Sequence, residues 1–347
     1  MSERRWTAAD FDYPLPQELI AQAPTTERGA SRLLVVRRGG RPGEERDREF
    51  AALQSMIPPG DLLVVNTTRV RHARLRGTRP SGGPAEVLLI HPAQDDTWIA
   101  MGTPGTAMRP GRRIALGAAI AIETVEILED GMRRVRFVGA TAADAIARFG
   151  RIPLPPYIDR EPTSDDEDRY QTVYAVREGS VAAPTAGLHF TPALLDALRA
   201  RGVMIAALDL EVGPGTFRPM QDGDVNRHEM HAERFDIPAA LAAAVLQCRE
   251  SGKAIWAVGT TVVRALESAA RPDGTVGAGA AGTSLMIAPG FEFRVVDRLI
   301  TNFHLPRSTL LMLVAAFAGY ETAMAAYVHA IQARYRFYSY GDAMAII

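Results

Sequence analysis

Two short apolar runs rich in branched side chains, Leu33–Val36 and Leu62–Val65, bracket a helical pattern at Phe50–Met56 and the breaker Pro58-Pro59-Gly60. Runs this short, apolar at every position, predict strands of an α/β layer buried on both faces. From Val70 to Val138 the texture changes. Ala85–Ile90, Trp98–Met101, Ala118–Leu128 and Arg133–Val138 are strand-like, divided by Ser81-Gly82-Gly83-Pro84, Arg109-Pro110-Gly111 and Asp130-Gly131, with no long helix between them. Short strands with Gly/Pro turns predict a small β-barrel over residues 69–140, inserted into an α/β main domain formed by residues 1–68 and 141–347. Thr141–Phe149 is the capped helix that returns the chain to that domain.

Ile152–Tyr157 is extended because of its prolines, and Asp165-Asp166-Glu167-Asp168 has the composition of a solvated acidic loop. Helical and strand patterns then alternate: helix Ala193–Arg201, strand Val203–Val212, helix Pro238–Glu250, strand Ala254–Val258, helix Val262–Ala270, a strand near Arg298–Thr301 and helix Ser308–Gly319. Gly274–Gly282 is a Gly/Ala tract expected to be flexible. The order predicts a mixed or parallel sheet with flanking helices, which binds ligands beyond the carboxyl ends of its strands.

Composition narrows the function classes. The chain has 347 residues, 47% hydrophobic and 23% charged, with net charge −1. It is long enough for two cores, and nothing global marks a nucleic-acid partner. Its longest apolar run, Leu310–Ala318, is too short to span a bilayer, and Met1–Asp10 lacks the apolar core of a signal peptide. A soluble, cytoplasmic monomer is expected. The single Cys248 excludes an internal disulfide and thiolate metal clusters.

Candidate chemistry gathers at loops. Ser180–Phe190 has neither helical nor strand alternation; it carries Thr185, Gly187 and His189 and runs into a helix start with Thr191 as N-cap and Pro192 at the first helical position. A tight turn with a satisfied histidine accounts for the same residues. Val258-Gly259-Thr260-Thr261 ends a strand in glycine and begins a helix with two hydroxyls, a geometry suited to a carboxylate or phosphate. Arg264 shares the helical face of Thr260, where it can hold a carboxylate with Glu267 fixing it, or form an ordinary surface pair. Glu211–Phe217, with Gly215 and Thr216, Thr301–Pro306, with Asn302 and His304, and Asn66–Arg69 supply further polar strand-end loops for a ligand cleft. His228 and His231 have metal-ligand spacing without an evident third ligand, so no metal is expected. Arg69, Arg71, His72, Arg74, Arg76 and Arg79 form an acid-free basic run able to follow a phosphate backbone. Arg334–Tyr340, including Tyr338, interleaves bases with rings that either stack on nucleobases or pin the tail to the core.

Taken together, Phe11–Pro16, Asn66–Leu75, Pro153–Arg160, Tyr170–Tyr174, Val181–Phe190, Gly215–Phe217, Ala257–Arg264, Thr301–Pro306 and Tyr335–Met344 resemble the S-adenosylmethionine:tRNA ribosyltransferase-isomerases of queuosine biosynthesis. The resemblance implies S-adenosylmethionine as co-substrate and ribosyl donor, no metal, and as acceptor the anticodon stem-loop of a tRNA carrying aminomethyl-deazaguanine at the wobble position. Epoxyqueuosine in tRNA, adenine and methionine are the implied products. It casts His189, His304 and Glu211 as proton-transfer candidates. Thr260 and Arg264 become the carboxylate anchor; Asn66, Arg69 and Arg74 acceptor contacts; and Thr185, Gly187, Gly215, Thr216, Thr261, Asn302 and Tyr338 further substrate contacts. Glu211 stands where the family pattern has histidine, and Arg71-His72 where it has Ile-Pro. A relative using another acceptor, or a tRNA-binding module without turnover, remains open at this point.

Overall fold

The computed structural model describes residues 5–213, 220, 230 and 232–347. In chain order its strands are β1 (Arg32–Val36), β2 (Arg46–Glu49), β3 (Leu62–Asn66), β4 (Thr68–Val70), β5 (Arg74–Thr78), β6 (Pro84–Pro92), β7 (Thr97–Thr103), β8 (Arg113–Ala115) and β9 (Ala121–Ile127). They continue as β10 (Arg133–Val138), β11 (Gly150–Arg151), β12 (Arg177–Ser180), β13 (Met204–Leu210), β14 (Glu233–Ile237), β15 (Ile255–Val258), β16 (Gly279–Thr283), β17 (Arg298–Asn302) and β18 (Ala343–Ile346). The fold is mixed α/β.

A nine-stranded sheet runs β16-β14-β13-β3-β15-β17-β18-β1-β2, with β13, β3, β15 and β17 parallel at its centre and antiparallel pairs toward both edges. Its apolar strands divide their side chains between two cores. Leu62 and Val64 of β3, with Ile255 and Ala257 of β15, enter the core under the helices Ala239–Glu250, Thr260–Ser268, Thr309–Ala318 and Tyr320–Gln332. Leu63, Val65, Trp256 and Val258 face the other way, onto Phe190 and the helix Pro192–Ala200. This two-sided burial is why the runs read as continuous rather than alternating.

A seven-stranded antiparallel sheet, β11-β5-β6-β7-β10-β9-β8, occupies residues 74–151, and β8 reaches back to β5 at Thr78–Ala115. It encloses a core of its own, built on Leu75, Val87, Leu89, Ile122 and Val135. The helix Ala142–Phe149 is capped by Thr141, which accepts from Asp144 N at 3.1 Å, as its sequence predicts.

Three local expectations change. The Gly/Ala tract forms the edge strand β16, because ladder bonds to β14 require only backbone. Asp165–Asp168 lies in a helix, Ser164–Arg169, whose Asp166 is fully buried and bound by Arg160, Tyr340 and the Thr163 N-cap. Part of the Ser180–Phe190 loop is a 3-10 helix, Thr185–His189. Among the described residues no single helix is long and apolar enough to cross a membrane; Thr309–Ala318 and Tyr320–Gln332 reach that length only together, across a 115° bend.

Candidate active site

Parallel strands end on the same edge of a sheet, so the residues following β13, β15 and β17 are brought side by side. They open onto one cleft. Val212, Gly259-Thr260-Thr261 and Thr301 to Leu305 form one side of its lining, and Ala183 to Ala186, Tyr157, Tyr338 and Ser339 complete it. Thr185, Thr260, Thr261, Asn302, His304 and Tyr338 are therefore assembled from distant parts of the sequence.

The helix start is built as the sequence predicts. Gly259, the N-cap of Thr260–Ser268, has φ +92°, a conformation that strains any other residue. Thr260 and Thr261 occupy the first helical turn, where backbone N–H groups lack intrahelical acceptors. The Thr261 hydroxyl oxygen is buried and has no hydrogen-bond partner. Arg264 follows one turn later but does not pair with Glu267, as expected from their shared face. Its Nη1 bonds Glu233 of β14, its Nε donates to Leu285 O at 3.1 Å, and its Nη2 is buried without a partner. Both charged side chains are enclosed, at 5% and 6% exposure. Glu267 instead accepts three backbone N–H groups, from Arg294, Val295 and Val296 at 2.9–3.1 Å, which satisfies a carboxylate more fully than one guanidinium contact would.

The two histidines differ in position. His304 lines the cleft; its Nε2 lies 2.8 Å from the Thr301 hydroxyl, its amide donates to the Tyr327 hydroxyl, and its carbonyl accepts from Tyr13. His189 is one layer further back. Its Nδ1 is 2.7 Å from Ser31 Oγ and its Nε2 is 3.2 Å from the Asn302 amide nitrogen. That nitrogen also donates to Tyr338 O at 2.9 Å, so it must be the –NH₂ end, and His189 Nε2 must accept. The proton of His189 therefore sits on Nδ1, toward Ser31, and Asn302 turns a buried, unpartnered carbonyl oxygen the other way. Burial lowers His189 to about 4 and His304 to about 3, so both imidazoles are neutral at pH 7. Burial likewise raises the Tyr338 and Tyr157 hydroxyls far above the usual phenol range.

Other sequence-predicted residues lie elsewhere. Asn66 is buried as a bridge between β3 and β13: its carbonyl oxygen accepts from Thr68 N and Leu210 N, and its amide donates to Leu210 O. It does not face the cleft. Gly187 lies behind the cleft wall, where a Cβ would come within 2.3 Å of the Tyr174 hydroxyl. Glu211 does not line the cleft as its neighbour Val212 does; its side chain packs over Gly179, and its charge is the largest acting on Arg71. Gly215 and Thr216, with Pro214 and Arg218, and also His228 and His231, lie outside the described residues. Among the described residues no three His, Cys, Asp or Glu side chains are grouped as a metal site requires.

The basic run is acid-free only in sequence. Neighbouring elements supply carboxylates, so His72 meets Glu167 at 2.5 Å, Arg74 meets Glu86 at 3.0 Å, and Arg76 meets both Glu86 and Glu161. Arg74 also donates to Leu154 O. Arg69, exposed on β4, has no acidic partner among the described residues. The C-terminal aromatics are mostly core: Tyr335 and Phe337 are fully buried, and Tyr338 and Tyr340 nearly so. Of these, Tyr338 reaches the cleft, packed on Tyr157 with ring centroids 4.6 Å apart. Tyr157, whose hydroxyl bonds Ser339 Oγ at 2.6 Å, was missed because its proline-rich stretch shows only an extended backbone. Ser31, the partner of His189, carries no signal in sequence at all.

A sequence model of the family described as "Queuosine biosynthesis protein" matches residues 8–346. The S-adenosylmethionine:tRNA ribosyltransferase-isomerase of Cupriavidus pinatubonensis is 51% identical over 344 residues, covering 97% of this chain and 98% of that one. The protein of the same name from an Anaeromyxobacter species is 51% identical over 342 residues, covering 97% of each. A crystal structure of the S-adenosylmethionine tRNA ribosyltransferase of Thermotoga maritima matches with TM-score 0.56 and 36% identity, covering 97% of this chain and all of that one. The chain therefore belongs to the queuosine biosynthesis protein family, the family of the S-adenosylmethionine:tRNA ribosyltransferase-isomerases.

Proposed function

We propose that this chain transfers and isomerises the ribosyl group of S-adenosylmethionine onto aminomethyl-deazaguanine at the tRNA wobble position, giving epoxyqueuosine-tRNA. The observation that carries this reading is the meeting, in one cleft, of a neutral imidazole with two unpartnered buried oxygens, Thr261 Oγ1 and Asn302 Oδ1. The methionine end of the donor offers the complementary groups: its carboxylate accepts from the Thr260 and Thr261 N–H groups and hydroxyls, and its ammonium donates to Asn302. Arg264 adds positive charge behind the helix start, offset by Glu233. Tyr157 and Tyr338 supply ring faces for a purine.

His304 is the base this arrangement favours. In the tautomer that donates its Nε2–H to the Thr301 hydroxyl, the Nδ1 lone pair is available to take a proton from the ribose carbon beside the sulfonium. In the family's outline adenine then leaves, the acceptor amine attacks, and methionine departs as the epoxycyclopentane ring closes. His189 acts through Asn302, holding the amide that faces the donor. The return of β8 to β5 supports reading residues 69–140 as an inserted barrel domain. Incubation with S-adenosylmethionine labelled in the ribose and tRNA bearing the aminomethyl base tests the reading. Label in tRNA with release of adenine is expected; adenine release with label in another acceptor, or tRNA binding without adenine release, would overturn it.

A further inference from the structure

Behind the cleft lies a second cavity, lined by Thr25, Arg28, Arg169, His189, Ser339 and Gly341 among others. It adjoins the cleft through Ser339, which borders both, and through His189, whose Nε2 holds Asn302. Two half-buried arginines, Arg28 and Arg169, line it, and a third, Arg336, lies in the adjoining groove. Arg28 donates to the carbonyls of Gln171, Leu188 and Asp168; Arg169 to those of Thr25 and Thr26; and Arg336, which borders the adjoining groove with Thr25 and Thr26, to that of Ala23.

All of these acceptors are backbone carbonyls. Such bonds fix where a guanidinium points without neutralising it, and among the described residues none of the three arginines forms an ion pair within 4 Å. Of the nearby acids, Asp166 is bound by Arg160 and Tyr340 and Asp168 offers Arg28 its carbonyl rather than its carboxylate; Glu27 borders the groove with Arg336, and the charges of Asp168 and Asp165 act on Arg28 without a direct ion pair. Burial, and then the charge of Arg169, hold Arg28 below the usual guanidinium range, as expected where cations crowd together. Positioned guanidiniums that form no direct ion pair and retain free N–H groups suit a ligand with several anionic oxygens.

The geometry points to a phosphodiester-binding subsite, formed by Arg28, Arg169 and Arg336, that grips the RNA backbone next to the nucleotide whose base enters the cleft. This rests on the acceptor being tRNA. Loop pinning is the competing role, since Arg169 and Arg336 tie down residues 23–26 and Arg28 ties together the carbonyls of residues 168, 171 and 188, and the substitutions are chosen to separate the two. Arg28→Gln and Arg336→Gln each keep a donor for the carbonyl and lose the charge; Arg336→Lys keeps the charge.

Binding of an anticodon stem-loop RNA is measured against salt concentration, alongside thermal unfolding and the KM for S-adenosylmethionine. Each Gln variant should bind the RNA severalfold more weakly and flatten the slope of log affinity against log salt by about 0.7–0.9, the value of one phosphate contact. Arg336→Lys should restore the slope, and the donor KM should not move. Inorganic phosphate should compete with the RNA for wild type more strongly than for the Gln variants. Unchanged slopes in the Gln variants, or equal loss in Arg336→Lys and Arg336→Gln, would overturn the subsite while leaving the acceptor reading intact. A wild-type protein that neither binds nor modifies the stem-loop removes both.

Discussion

Mild acid should destabilise this fold well before its carboxylates titrate, because two imidazoles are buried in neutral form. In the unfolded chain a histidine titrates near 6.5. In the fold His189 titrates at about 4 and His304 at about 3. Between those values the unfolded state binds protons that the folded state cannot, so stability rises with pH and is lost as pH falls through 6.5. At pH 5 each imidazole costs about 2 kcal/mol, from 1.36 kcal/mol per unit over roughly 1.5 units, and at pH 7 only about 0.2 kcal/mol. The pair should therefore remove about 3.5–4 kcal/mol between pH 7 and pH 5, a large share of the roughly 5–15 kcal/mol that holds a domain together. Carboxylates held low in the fold, Asp166 and Asp47 among them, add their own loss only as pH falls below about 5. Urea unfolding followed by circular dichroism at pH 5, 6 and 7 reads the effect. His189→Asn and His304→Asn should each remove about half of the pH dependence, whatever they do to stability at pH 7. If both variants keep the full wild-type difference between pH 7 and pH 5, the imidazoles are not the buried neutral groups described, and His304 loses its qualification as a base.

Thr261→Val should leave thermal stability unchanged or slightly higher, since the hydroxyl has no partner to lose, while weakening donor affinity by about 0.5–1.5 kcal/mol in a calorimetric titration. Glu233→Ala strands the buried Arg264 charge and should cost about 3–5 kcal/mol in denaturant unfolding; a cost below 1 kcal/mol would mean the pair is solvated. Gly187→Ala drives a methyl to 2.3 Å from the Tyr174 hydroxyl and should destabilise by about 1–3 kcal/mol, with part of that loss recovered in the double variant with Tyr174→Phe. Glu211→Gln, off the cleft lining, should leave the rate of adenine release within about twofold of wild type; a loss of 10²-fold or more would return it to the proton-transfer chemistry.

The sequence was most informative where one local rule settles the structure. Gly259 before two threonines, and Thr191 before Pro192, specify helix starts from a few residues, and both form as read. The central strands were legible because burial on two faces leaves no polar position to interrupt Leu62–Val65. What sequence could not supply was pairing across distance. The carboxylates that bond His72 and neutralise Arg74 and Arg76 come from 10 to 95 residues away, so a basic run in one dimension is a network of acid contacts in three. Arg264 and Glu267 show the same effect in reverse: helical spacing puts them on one face, yet each has a better partner in another element. The acidic cluster at Asp165–Asp168 was read by composition, which cannot reveal that Asp166 points inward to Arg160.

Strand β18 lies between β17 and β1, and it comes last in chain order of all the described strands. A ribosome therefore releases β1 some three hundred residues before the strand that will seat it, and until residues 343–346 emerge the sheet has two open edges at its middle. The residues just upstream, Tyr338 and Ser339, are the wall that closes the cleft against Tyr157. Vectorial synthesis thus delivers the sheet's closing strand and the cleft's closing wall in the same few seconds. A nascent or truncated chain carries His304 and the Gly259 helix start without Tyr338 and Ser339, which line the cleft with them.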